Sequence, residues 1–166
     1  MSPTPRLTLR VPSLDATHAV AAGLAALCRP GDVILLAGEM GAGKTAFAQG
    51  FGRALGVTEP ITSPTFTLVH SYDTGGPTLH HADLYRLEQL SEVAELALGE
   101  LAEFDGIVLV EWGDVVESTF GEHLVVRLDL VDGDVVSRDI TIAPTGPTWA
   151  RRWSQLADAV SHAERP

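Results

Sequence analysis

The sequence predicts a three-layer α/β fold in one domain, residues 1–166, with a mixed, largely parallel sheet and a C-terminal β-hairpin and helix. Three observations predict it. Val33 to Ala37 and Ile107 to Val110 are short, continuous apolar runs, the pattern of parallel strands covered on both faces. Strand-like and helix-like segments alternate through the first two thirds of the chain, as layered α/β architectures require. Further along, two strand-like runs flank Asp132-Gly133, a pair suited to the positive φ angles of a tight hairpin turn.

Leu7, Leu9 and Val11 alternate with polar residues and form the first expected strand. Ser13 can cap a helix from Leu14 to Cys28, rich in alanine and leucine, which Pro30-Gly31 ends. Val33 to Ala37 then runs into a glycine-rich loop, and a helix follows from Lys44 to Leu55 with Gly56 as its left-handed exit. Thr67 to Tyr72 and Thr78 to Ala82 flank the turn Thr74-Gly75-Gly76-Pro77 and predict a hairpin. Ser91 to Glu103 has moderate helical amphipathicity, interrupted at Gly99. Leu124 to Leu130 and Val135 to Ile142 make the late hairpin, and Pro144 to Pro147 breaks the chain. Trp149, Trp153, Leu156 and Val160 then fall on one face of a last helix, a face expected to pack on the sheet, with binding of a partner as the alternative.

Composition narrows the function classes. No stretch approaches the roughly 20 apolar residues of a membrane span. Met1 to Arg10 lacks the apolar block of a secretory signal, so a cytoplasmic protein is expected. Cys28 is the only cysteine, which excludes an internal disulfide and a cysteine zinc cage, and its Ala/Leu-rich surroundings predict burial. The net charge is −11 and Lys44 is the only lysine, a balance that repels phosphodiester backbones. Arg151 and Arg152 are adjacent on the last helix, too small a cluster to reverse that repulsion.

Gly38-Glu39-Met40-Gly41-Ala42-Gly43-Lys44-Thr45 fits the phosphate-loop (P-loop) pattern G-x-x-x-x-G-K-[ST], between an apolar strand and a helix. Glycines let successive backbone N–H groups converge on phosphate oxygens, and the helix that follows points its positive end at the same anion. Lys44, read as an exposed loop lysine, can neutralise the β- and γ-phosphates, and the Thr45 hydroxyl can ligate magnesium. The expected nucleotide contacts on this loop are Glu39, Met40, Gly41, Ala42, Gly43, Lys44, Thr45 and Ala46. Glu111 ends the apolar strand Ile107 to Val110 at the edge where open α/β sheets place ligands, and can hold the metal from the other side. Trp112 beside it either walls the site or fills core space.

In His80-His81-Ala82-Asp83-Leu84-Tyr85-Arg86, Asp83 has two readings. Either it holds a metal-bound water or the attacking water, or it caps the segment beginning at Leu84. His81 shares the Asp83 face of a strand and His80 points away. Thr62-Ser63-Pro64-Thr65-Phe66 offers hydroxyls, Thr65 among them, that reach a γ-phosphate or metal, or else forms a Ser/Pro turn.

Together, GEMGAGKT, SPTF, HHADLYRL and VLVEW, in that order over residues 38–112, resemble the TsaE (YjeE) family of bacterial ATPases. The resemblance implies a P-loop NTPase fold, magnesium-dependent hydrolysis of ATP to ADP and phosphate, and work with TsaB and TsaD in making threonylcarbamoyladenosine in tRNA. It assigns Gly41, Gly43, Lys44 and Thr45 to phosphates and metal, Glu111 to magnesium and Asp83 to the catalytic centre. It also implies that the segment around Leu14 and Thr17 borders the base and that the hairpin near Ser137 and Arg138 closes the far side. Glu39-Met40 stands where the family usually has Asp-Leu, and Gly113 where it often has proline; neither change removes a needed functional group. With the acidic charge, the resemblance implies that tRNA is reached only through partners.

Two other classes compete. A small-molecule kinase shares the phosphate loop but uses a lid bearing arginines, whereas Ser91 to Glu103 has four glutamates and no arginine or lysine. A nucleotide-dependent binding switch would carry the same motifs with incidental hydrolysis.

Overall fold

The computed structural model describes residues 5–62, 69–83, 100–103, 105–111 and 121–164. In chain order these give β1 (Leu7–Val11), α1 (Leu14–Ala25), β2 (Val33–Ala37), α2 (Lys44–Leu55), β3 (Val69–Tyr72), β4 (Thr78–Asp83), β5 (Gly106–Glu111), β6 (His123–Val131), β7 (Asp134–Thr145) and α3 (Trp153–Ser161).

These seven strands join one sheet in the order β1-β7-β6-β2-β5-β4-β3. The central strands β6, β2, β5 and β4 are mutually parallel, and β1–β7, β7–β6 and β3–β4 are antiparallel. The sheet is therefore mixed in equal parts rather than largely parallel, because both predicted hairpins and the pairing of β1 with β7 add antiparallel strands at its flanks. β2 and β5 are buried along their whole length, which explains their unbroken apolar runs.

Alternation along these strands divides the interior in two. Ile34 and Leu36 of β2, with Ile107 and Leu109 of β5, share a cluster with Val20 and Leu24 of α1, Phe47 and Phe51 of α2, and Leu156 and Val160 of α3. Val33 and Leu35, with Val108 and Val110, face the other way, where Leu101 and Ala102 from the helical residues 100–103 join them. The last helix packs chiefly against α1, with Leu156 and Val160 in the same cluster as the sheet residues: a Cβ on Gly23 would stand 3.0 Å from the Ala159 carbonyl oxygen, so glycine sets how closely these helices approach.

Local signals place most boundaries. Ser13 Oγ accepts from Ala16 N at 3.1 Å and starts α1. Gly56 takes φ 108° and ends α2, and Gly133 takes φ 75° between β6 and β7. Several boundaries differ from the sequence reading by one to four residues, and two of the differences have a clear local cause. α1 stops at Ala25 instead of Cys28, because Leu27 N and Cys28 N donate to Leu24 O and Ala25 O and tighten the chain into a narrower turn. Pro144 lies within β7 opposite Leu124, past Ile142 where β1 ceases to flank it, a position that tolerates a missing donor. Cys28 packs half-buried against the larger core, and burial pushes its thiol pKa well up. Of the expected segments, Thr67 and Leu68 of the first hairpin and Ser91 to Gly99 lie outside the described residues.

Candidate functional site

Parallel strands β2, β4 and β5 all end at one edge of the sheet, and that edge collects the polar residues singled out in the sequence. β2 gives way to the glycine-rich loop, in which Gly38, Gly41 and Gly43 take φ of 144°, 85° and 108°. Gly38 has a second constraint, since a Cβ there would collide with the Leu128 carbonyl oxygen. Gly43 is the N-cap of α2 without any side-chain cap, so the helix opens directly onto the loop.

Lys44 is buried, contrary to its reading as an exposed lysine, and its Nζ donates to Gly38 O at 2.7 Å and Glu39 O at 2.9 Å. The ammonium is thereby held against the loop that precedes it. One residue on, Thr45 Oγ1 donates to Glu111 Oε1 at 3.0 Å. Glu111 is buried at the end of β5, and its other oxygen, Oε2, lies 2.6 Å from His81 Nε2. Asp83, half-buried at the end of β4, stands in register with Glu111. Asp83 therefore continues a strand. Its alternative as a cap depends on Leu84, outside the described residues.

A pocket of about 290 Å³ lies beside the loop. Six expected residues line it: Leu14, Thr17, Ala42, Gly43, Ala46 and Arg138. Val135 and Val136 complete the lining and escape the sequence reading. They are 88% and 55% exposed. Two successive valines just after a hairpin turn are the sequence signal for them, because neighbours in a strand face opposite ways and cannot both enter the core. Arg138 straps the hairpin to the loop, its Nε donating to Ala42 O at 3.0 Å and its Nη1 to Val135 O at 2.9 Å. Ser137 does not line the pocket. Its hydroxyl donates to Asp134 Oδ2 at 2.7 Å, and this bond, with the N–H groups of Ser137 and Val136, holds the Asp134 carboxyl below the usual carboxylate range. Glu39, Met40 and Gly41 are exposed at the loop's outer turn, and Thr65 and Trp112 lie outside the described residues.

The donor chemistry of the edge is that of a hard cation. A hydroxyl and a carboxylate already touch, and a second carboxylate ends the adjacent strand. Among the described residues no three His, Cys, Asp or Glu side chains gather as a cage, so such a cation would need oxygens from elsewhere, as magnesium takes them from phosphates. Fold and site together define an α/β protein whose polar centre sits at the carboxyl edge of parallel strands, between a glycine-rich loop and strand-end carboxylates.

The comparisons with known proteins narrow that class. The family described as "Threonylcarbamoyl adenosine biosynthesis protein TsaE" matches residues 11–140, and the chain belongs to this TsaE family. It is 38% identical over 159 residues to the tRNA threonylcarbamoyladenosine biosynthesis protein TsaE of Bacillus subtilis, covering 94% of each chain. It is 41% identical over 133 residues to the Streptomyces coelicolor protein of the same name, covering 76% of this chain and 89% of that one. A crystal structure of Bacillus subtilis YdiB superposes with a TM-score of 0.78 at 31% identity, covering 99% of this chain and 100% of that one.

Proposed function

We propose that this chain is a P-loop ATPase that binds ATP with magnesium and serves tRNA threonylcarbamoyladenosine synthesis in the cytoplasm, together with TsaB-like and TsaD-like proteins. The observation that carries the reading is the contact of Thr45 Oγ1 with Glu111 Oε1 at the mouth of a fully matched phosphate loop. The names of the relatives supply the pathway.

In this reading the backbone N–H groups of Gly41, Gly43, Lys44 and Thr45 at the start of α2 receive the phosphates, and Lys44 neutralises the β- and γ-phosphates. The pocket walled by Leu14, Thr17 and the β6–β7 hairpin takes the base, with its apolar valines against the ring. Thr45 and Glu111 hold magnesium, which supplies charge neutralisation at the transferring phosphoryl group. Asp83 orients the attacking water from the neighbouring strand end. Thr65 and Trp112 are assigned to the same site by sequence alone. tRNA is met only through the partner proteins.

The test is an ATPase assay on the purified chain with and without added TsaB and TsaD. Magnesium-dependent release of phosphate, together with ATP-dependent tRNA modification that stops when the chain is omitted, is the expected result. Multi-turnover modification without the chain removes the assignment.

A further inference from the structure

Beneath the candidate metal carboxylate lies a buried histidine that the preceding reading leaves unused. His81 in β4 is fully buried, and its Nε2 stands 2.6 Å from Glu111 Oε2. The other oxygen, Oε1, accepts from Thr45 Oγ1 at 3.0 Å. Each oxygen of one carboxylate thus has its own donor, one from β4 and one from α2. Parallel pairing puts His81 opposite Leu109 and Asp83 opposite Glu111, so the imidazole reaches forward along the neighbouring strand to the carboxylate. Its Nδ1 has no hydrogen-bond partner among the described residues, which leaves the carboxylate as the contact that orients the ring.

We propose that His81 is a positioning residue for Glu111. By donating from Nε2 to Oε2 it fixes the carboxylate plane and leaves Oε1 as the oxygen presented to Thr45 and to the cation. The physical reason is conformational. A glutamate has several rotatable bonds, and a carboxylate left free must be ordered when the ligand arrives, which weakens binding. A hydrogen bond to an ionised carboxylate is charge-assisted and short, strong enough to order it beforehand. Partners of this kind behind a metal-binding side chain set its orientation and basicity. His81 is not itself a ligand in this arrangement, because the nitrogen nearest the site already faces Glu111.

This inference rests on the assignment of Glu111 to magnesium, and the experiment separates the two. A non-hydrolysable ATP analogue is titrated into the full-length protein and its His81→Leu and His81→Gln variants, in magnesium and in EDTA. His81→Leu should lose about tenfold or more in affinity with magnesium and stay within about twofold in EDTA. His81→Gln keeps an N–H donor near the Nε2 position and should recover most of the loss. A folded His81→Leu protein with unchanged magnesium dependence overturns the proposal. Equal losses in both conditions without rescue by glutamine overturn it too, since they describe packing alone.

The unsubstituted protein gives a second readout that needs no folded variant. In nitrogen-detected NMR, the His81 resonances should show a protonated Nε2, shifted by Glu111→Gln; an unprotonated Nε2 overturns the proposal. If the unsubstituted protein binds the analogue equally with and without magnesium, the metal reading fails, and the NMR result still decides whether His81 holds Glu111.

Discussion

At the N-terminal end of β2, Asp32 and Arg152 form a buried pair, with Nη1 and Nη2 of the arginine on Oδ2 and Oδ1 at 2.7 and 3.0 Å. At the C-terminal end of the same strand, Lys44, Glu111 and His81 are also buried, but Lys44 faces backbone carbonyls and the carboxylate faces a hydroxyl and an imidazole. In the first arrangement the charges answer each other, with Arg152 Nε alone lacking a partner among the described residues. Arg152 also donates to Leu27 O and lies 3.8 Å over the Trp149 ring, so its charge is answered by its own chain. The second gathers a cation and two strand-end carboxylates around an open loop, a grouping that an anion with its metal would complete. Burial of charge by itself does not mark a functional site; what distinguishes the two ends is that Asp32 and Arg152 engage each other directly, whereas Glu111 turns to a hydroxyl and an imidazole beside a glycine-rich loop that opens a helix.

The comparison predicts opposite phenotypes for loss of a cation at each end. Lys44→Ala should abolish measurable ATP turnover, while loss of its charged bonds to the two carbonyls costs about 1–3 kcal/mol of stability each. Turnover within about threefold of the unsubstituted protein, less than 1 kcal/mol of barrier, would show that the lysine does not clamp phosphate. Arg152→Ala should instead destabilise the fold by about 3–5 kcal/mol, because it strands Asp32 as a buried charge. Nucleotide affinity per folded molecule should not change. Denaturant unfolding and analogue titration on both variants separate the two ends, and an Arg152 variant that is stable but cannot bind nucleotide would dissolve the distinction.

Within the C-terminal end, the two strand-end carboxylates can be sharpened against each other. Glu111→Gln should weaken magnesium-dependent nucleotide binding, whereas Asp83→Asn should spare binding and lower turnover, since Glu111 touches Thr45 and Asp83 ends the next strand in register. A labelled ATP analogue with and without magnesium, followed by single-turnover hydrolysis, measures both. Equal binding losses would merge the two roles.

Much of this site is legible in the sequence because its chemistry is local. Gly38, Gly41, Gly43 and Gly56 each require a positive φ, so the loop and both ends of α2 stand where the glycines announce them. β2 and β5 are legible from unbroken apolar runs, for strands covered on both sides read that way. Contacts across the sheet are not. Asp32 and Arg152 are 120 positions apart, and His81 and Glu111 are 30 apart; both pairs depend on strand order and helix docking, which periodicity does not encode. Ser137 is expected near the nucleotide, but its hydroxyl holds Asp134, because a short polar side chain after a tight turn finds its partner locally.

That local bond yields a smaller, pH-dependent effect confined to one wall of the pocket. The Asp134 carboxyl is held below its ordinary value of 3.8 chiefly by the Ser137 hydroxyl, then by the N–H groups of Ser137 and Val136. A depressed folded pKa contributes stability that is fully present above the unfolded value and is lost as pH falls through the folded one. The hairpin tip should therefore loosen only below about pH 4, and Ser137→Ala should raise the carboxyl's pKa toward the ordinary value. Carboxyl titration by NMR reads both. An Asp134 pKa unchanged by the substitution would remove the Ser137 hydroxyl as its main cause.

The smallest expected effect is on RNA, where the isolated chain should show none at physiological salt. Of the adjacent pair Arg151 and Arg152, the second is buried against Asp32 and cannot meet a phosphate. Arg151 is exposed beside Arg29 around an open surface pocket of about 540 Å³, but Glu122 lines the same pocket. Lys44 is folded against the loop carbonyls, and the chain as a whole carries −11. Nonspecific affinity for a polyanion grows with the number of phosphates neutralised, and two arginines beside a glutamate release too few counterions to offset repulsion from the rest of the surface. Filter binding of tRNA to the isolated chain should give no saturable signal, and Arg29→Ala with Arg151→Ala should leave that result unchanged. Tight binding abolished by the double substitution would show that the N-terminal end of the sheet, for all its closed ion pair, carries an RNA site of its own.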